Sequence, residues 1–162
     1  MPTLLPNQLL VLASVVVLGL AVWLIGRRTS GASVAALMTL DWGLVLGATL
    51  TPDISFVGSG YWTSGCSFVL QLGDSHHERL ANVALFVPLG VVTWFTVPRW
   101  IWIAVGAAAP FVIEAVQGVL PSLGRQCDAS GVAANLIGFA LGLAAAVAAS
   151  WVVRLLSRFV AG

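Results

Sequence analysis

The sequence predicts an all-α fold, a polytopic transmembrane helical bundle of about five spans, on three observations. Of 162 residues, 59% are hydrophobic and only 8% charged. The mean hydropathy is +1.01. The apolar residues gather into five runs, near 4–26, 33–51, 80–97, 100–120 and 131–153. A hydrocarbon core about 30 Å thick takes roughly 20 helical residues to cross, so five spans use most of the length. No soluble catalytic domain fits beside them. A net charge of +1, no lysine and seven scattered arginines exclude a basic nucleic-acid binder.

The first run has no basic residue ahead of it and is followed at once by Arg27 and Arg28, so it reads as a retained anchor and not a cleaved signal. Those arginines belong in the cytoplasm, which places the N-terminus outside and, after five alternating spans, the C-terminus inside. Arg99, Arg154 and Arg158 then also fall inside, and only Arg79 and Arg125 outside. The chain divides into an N-terminal helix and cytoplasmic turn (1–32), a transmembrane domain (33–153) and a cytoplasmic tail (154–162). Trp23, Trp94, Trp100, Trp102 and Trp151 lie near the cytoplasmic ends, at the headgroup level that tryptophan prefers.

The second span carries Asp41 near its middle and the small pair Gly43 and Gly47. The polar stretch 52–79, with Tyr61 and Trp62, either lies along the outer surface or forms a small lid. His76, His77 and Glu78 read as a solvated juxtamembrane turn. Neighbouring helical residues point about 100° apart and no other His completes a ligand set, so neither a metal nor a cofactor is expected. Pro88 removes a backbone donor from the third span and is expected to kink it near residue 84. The short link at Pro98 and Arg99 makes the third and fourth spans antiparallel neighbours. Gly138 and Gly142 in the fifth span, like Gly43 and Gly47 in the second, have the spacing that lets a helix approach a neighbour closely, with packing inside the same chain preferred to a dimer interface.

Polar side chains inside the spans mark a candidate site. With the fourth span ending near residue 120, Glu114 sits about 9 Å below its outer end and Gln117 about 5 Å, on the same face; Asn135 and Asn82 sit about 6 Å and 3 Å deep in their own spans. Four groups from three helices thus converge under the loop that bears Arg125 and Asp128. A carboxylate at that depth is disfavoured by a few kcal/mol unless neutralised or paired. Arg125, across a turn marked by Pro121 and Gly124, is the expected partner of Glu114, with a planar fork suited to carboxylate or phosphate. Asn82, Glu114, Gln117, Arg125, Asp128 and Asn135 are the candidate ligand-binding residues, with Glu114 and Asp128 as candidate catalytic carboxylates. An internal ion-pair network that only fixes helix packing is the competing reading. Asp41 is either a satisfied structural aspartate or a deeper member of the same site. Cys66 and Cys127 fall in the two outer loops and are expected to form a disulfide that pins the long loop over the cluster.

The stretch NVALFVPLG from Asn82 to Gly90, ExxQ at Glu114 and Gln117, and RQCDASGVAANLIGFALG from Arg125 to Gly142 resemble the motifs of the VanZ-like family of bacterial membrane proteins. The resemblance covers roughly residues 49–142, beginning at the TLTP turn from Thr49 to Pro52. Asn82, Pro88, Gly90, Glu114, Gln117, Arg125, Asn135 and Gly138 take the motif positions. It implies a multi-pass protein of the bacterial cytoplasmic membrane and cell envelope, linked to tolerance of the glycopeptide teicoplanin. Where the family pattern has an aspartate four residues before the motif asparagine, this chain has Gly131, with Asp128 three residues earlier.

Three functions are compatible with these residues. A non-enzymatic envelope protein would bind a membrane lipid or lipid-linked cell-wall precursor at the outer cluster. A membrane enzyme modifying such a lipid would use Glu114 as general acid or base. A small transporter or structural partner ranks last, since no repeated half is present. The oligomeric state is left open by the sequence.

Overall fold

The computed structural model describes residues 31–51, 66–69, 76–120, 123–125 and 127–160. The expected first span, with Trp23, Arg27 and Arg28, lies outside the described residues, as do Tyr61, Trp62 and Pro121. Within them the chain forms α1 (Ala32–Leu50), β1 (Cys66–Ser67), α2 (His76–Trp94), α3 (Arg99–Val119), β2 (Cys127–Asp128) and α4 (Ala129–Val160). The fold is helical, apart from one parallel two-residue pairing, Cys66 with Cys127 and Ser67 with Asp128.

Three of these helices, α1, α3 and α4, are long and apolar enough to cross a membrane. The helix at the third expected span differs from its prediction at both ends. It starts earlier, at His76, so the polar His76–Arg79 turn is helical, with His77 and Glu78 exposed on it. It also stops earlier, at Trp94, because the residue before a proline is pushed out of helical backbone and the chain turns through Phe95–Pro98. The apolar part of α2 is only about 15 residues long, Leu80 to Trp94, and Asn82 interrupts it. The helix runs on through Pro88, whose ring faces outward at an exposed position.

α1 buries Ala35, Met38, Trp42, Val45, Leu46 and Thr49, a three-and-four spacing that puts them on one face, while Leu37, Leu40 and Leu44 on the other face stay exposed. That face meets Phe86 and Leu89 of α2, Trp102, Ala109 and Ile113 of α3 and Phe139 of α4 in a single core. Trp102, three residues into α3, turns its side chain into the core. Trp100, two positions earlier and about 200° round the helix, is 76% exposed.

α2 and α4 make the closest contact, and they run parallel. A Cβ at Gly138 would strike the Val83 carbonyl, one at Gly142 the Val87 carbonyl, and one at Gly90 the Phe139 carbonyl. The Trp94 indole N–H donates to Ser150 Oγ at 3.0 Å, extending the same register toward the other end. Gly138 and Gly142 thus pack within the chain as their spacing predicts. Gly43 and Gly47 do not: nothing described lies within 4 Å of a Cβ at either. α4 is the longest element at 32 residues, about 48 Å. It continues as helix to Val160, through most of the stretch expected to be a tail.

Candidate functional site

The antiparallel course of α1 and α3 against α2 and α4 gathers the C-termini of α1 and α3 and the N-termini of α2 and α4 at one end. Asn82, Glu114, Gln117, Arg125, Asp128 and Asn135 all lie toward that end. Glu114, Gln117 and Arg125 are held by main-chain groups of other segments.

α4 begins at Ala129, and Asp128 stands before it as N-cap: its Oδ1 accepts the Gly131 N–H at 2.9 Å, satisfying one donor of the first turn. In a self-contained capping box, the residue three positions into the helix reaches back to the N-cap N–H. Here that residue is glycine, and the reciprocal bond comes from another helix. Glu114 Oε2, on α3, accepts the Asp128 N–H at 2.8 Å. Glu114 reaches in because Gly131 leaves the space: a Cβ there would collide with Glu114 Oε1. The absence of an aspartate at position 131 therefore has a physical counterpart, since any side chain at this position would displace Glu114 from the cap.

Arg125 departs from its expected pairing. Its guanidinium turns to the end of α1, where Nη2 donates to the Ala48 carbonyl at 2.9 Å and Nε to the Thr51 carbonyl at 3.3 Å. The last carbonyls of a helix lack partners within it and carry partial negative charge, so a cation is well placed there. Gln117, buried, ties α3 to the same turn by donating from Nε2 to the Thr49 carbonyl at 2.8 Å. Thr49 and Thr51 complete the turn by donating their hydroxyls to the Val45 and Gly47 carbonyls. The acceptors at Ala48, Thr49 and Thr51 are main-chain atoms, so no side-chain motif announces them.

Asn135 is only 1% exposed and its Oδ1 makes no hydrogen bond with the described residues; Asn82 is half-buried on α2. Asp41 Oδ2 and Trp42 Nε1 are likewise buried and unpartnered. Asp41 belongs to the middle of α1, some nine residues from its end, and the structure does not draw it into the Arg125 group.

The Cys66–Cys127 disulfide is present, with the two Cα atoms 4.5 Å apart. It lies against Gly118, where a Cβ would come within 3.0 Å of the Cys66 sulfur. The bridge thus holds residues 66–67 beside the first residues of the α4 cap, as the outer-loop placement of the cysteines predicts.

The cap makes a stability prediction. Glu114→Ala leaves the Asp128 N–H without its partner and should cost about 1–3 kcal/mol, whereas Glu114→Gln keeps an acceptor oxygen and should cost under about 1 kcal/mol. Thermal unfolding of the two variants in one detergent would check this. Equal losses would show that the carboxylate charge, and not the cap, is what the fold requires.

No curated protein and no solved structure matches this chain. The family model described as VanZ/LLP1 matches residues 9–153, nearly the whole length and all of the residues just described. This chain belongs to the VanZ/LLP1 family.

Proposed function

We propose that this protein is a non-enzymatic component of the bacterial envelope whose Arg125 end binds the headgroup of a phospholipid or of a lipid-linked cell-wall precursor. Through that binding it contributes to tolerance of teicoplanin-type glycopeptides. The observation that carries the reading is Arg125 itself. It is exposed, it is fixed in direction by two α1 carbonyls, and those two bonds use only part of a guanidinium that has five N–H donors. A pre-oriented arginine of this kind suits a phosphate oxygen. Gln117, buried beneath it, ties α3 to the end of α1 beside it.

The enzymatic alternative would make Glu114 a general acid or base. Both candidate carboxylates are engaged in holding the start of α4, Glu114 on the Asp128 N–H and Asp128 on the Gly131 N–H. Both carboxylates are thus committed to the helix start, so the binding reading is the better supported.

One experiment separates the two. A sensitive Gram-positive host would carry wild type, Arg125→Ala, Glu114→Gln or empty vector, with expression verified, and be tested against teicoplanin and vancomycin. The expected result is raised teicoplanin tolerance with wild type, retained by Glu114→Gln and reduced to the vector level by Arg125→Ala. Loss with Glu114→Gln and retention with Arg125→Ala would favour the enzyme. No tolerance from well-expressed wild type would remove the glycopeptide role.

A further inference from the structure

The opposite end of the bundle carries a second polar feature, built from different residues. Where α2 ends, α3 begins and α4 passes between Ala149 and Arg154, a groove of about 440 Å³ opens at the surface, within the range of about 300–1,000 Å³ common for small-ligand sites. Two arginines line it, Arg99 and Arg154, and no carboxylate does. The acidic residues of the described chain all lie elsewhere: Asp41 in the middle of α1, Glu78 in the first turn of α2, and Glu114 and Asp128 at the far end. The positive charge of the groove has no counter-ion in the described residues.

Its wall is ordered. The Trp94 indole donates to Ser150 Oγ at 3.0 Å, and Ser150 donates in turn to the Ala146 carbonyl. The Arg99 guanidinium carbon sits 4.8 Å from the centroid of the Trp94 ring, so the cation is stacked on that wall and its edges remain available for hydrogen bonds. Thr96, buried beside it, donates its hydroxyl to the Thr93 carbonyl and closes the turn.

The location selects the occupant. α3 is 21 residues long, about 31 Å, which matches the hydrocarbon thickness. With Val119 at one headgroup layer, Arg99 stands in the other. Ser150 lies about 32 Å along α4 from Ala129, at the same level. Trp100 and Trp151, exposed beside the groove, mark that layer. The groove also borders exposed Phe95, Val97 and Val153, apolar groups that lipid tails would cover. A free anion would use the arginines and leave that apolar border bare. An amphiphile with one anionic head and two tails meets both.

We propose that the groove between the α2–α3 turn and residues 149–154 of α4 binds an anionic phospholipid of the adjacent leaflet, its phosphodiester held by Arg99 and Arg154 against the Trp94–Ser150 wall. This site is separate from the Arg125 end and does not depend on the function proposed for it.

The test uses the full-length protein, purified in detergent and equilibrated with equal amounts of phosphatidylglycerol and phosphatidylcholine bearing the same acyl chains, with bound lipid counted by native mass spectrometry. An arginine near an anionic headgroup raises binding about fivefold, so two give a preference on the order of 25-fold for phosphatidylglycerol. The Arg99→Gln/Arg154→Gln variant should lose most of it, and Arg99→Lys/Arg154→Lys should keep most of it. If the double glutamine variant does not fold, Arg154→Gln alone should lower the preference about fivefold, because Arg154 is exposed and its removal disturbs no core contact. Millimolar inorganic phosphate should not displace the lipid. The proposal is overturned by equal binding of the two lipids to wild type, by an unchanged preference in the glutamine variants, or by displacement with inorganic phosphate. It is equally overturned if Arg125→Gln abolishes the preference while the glutamine variants keep it, which would place the lipid at the opposite end.

Discussion

Replacing Cys66 and Cys127 together by alanine is expected to destabilise the protein more than any other change considered, by up to about 4 kcal/mol. The bridge closes a loop between residues 61 positions apart, and the chain-entropy estimate for a loop of that length is about 4 kcal/mol. That figure is an upper value here, because helices that stay in the bilayer have less freedom to lose than a chain released into water. Cys127 is buried, so its truncation also removes packing against Gly118. Unfolding in increasing SDS, with and without reductant, measures the effect. Wild type under reductant should shift toward the double variant, and the double variant should not respond. An equal response in both would mean that reductant acts elsewhere.

Gly142→Val should be the most damaging single substitution in the membrane-spanning part. Its Cβ would be forced into the Val87 carbonyl and against the Gly90 Cα, backbone atoms that cannot rotate away. Overpacking usually costs about 1–3 kcal/mol; with two helix backbones as the obstacle the expected loss is about 3 kcal/mol or more. Helices in lipid gain little from apolar burial against each other and depend on close packing, so nothing compensates for separating α2 from α4. Gly47→Ala is the matched control: its Cβ meets no described atom within 4 Å, and its stability should change by less than about 1 kcal/mol. Thermal melting in a single detergent would compare the pair. Equal changes in the two variants would show that the α2–α4 contact is not what the Gly142 substitution disturbs.

Periodicity located the helices because a span is a long, redundant signal. The run at 131–153 holds no charged residue over its whole length, and an error at one position changes little. Helix ends and contacts rest on single atoms and were harder to read. The α2 start was misplaced because His76, His77 and Glu78 are polar, and polar residues suit a helix turn at the membrane surface as well as a loop. Which way Trp102 faces was not legible, because composition gives depth but not azimuth. Gly138 and Gly142 packed as their spacing implied while Gly43 and Gly47 meet none of the described residues, because a small-residue pair shows where an approach is possible and not which helix makes it.

The candidate site shows the same division. That these polar side chains gather at one end of the bundle was legible, since charged and amide groups in apolar runs are conspicuous. Its wiring was not. Opposite charge pointed to a Glu114–Arg125 pair, yet each took main-chain partners, the Asp128 N–H and the carbonyls of Ala48 and Thr51. Helix ends offer unpaired backbone groups that leave no trace in the residue alphabet. Asp128 followed three residues on by Gly131 was the one visible sign of a cap.

The cross-links of this bundle are unevenly distributed. At one end the disulfide, the Glu114 cap, the Gln117 bond and the two Arg125 bonds join α1, α3, α4 and residues 66–67; at the other, the ties described above are the Trp94–Ser150 bond and the stacking of Arg99 on Trp94. Mechanically this is a forceps, riveted at one end and sprung at the other. Opening fluctuations cost least where ties are fewest, so thermal breathing should grow along the helices away from the rivet. Amide exchange should record that gradient, with protection along α3 falling from the turn of Gln117 toward the turn of Arg99.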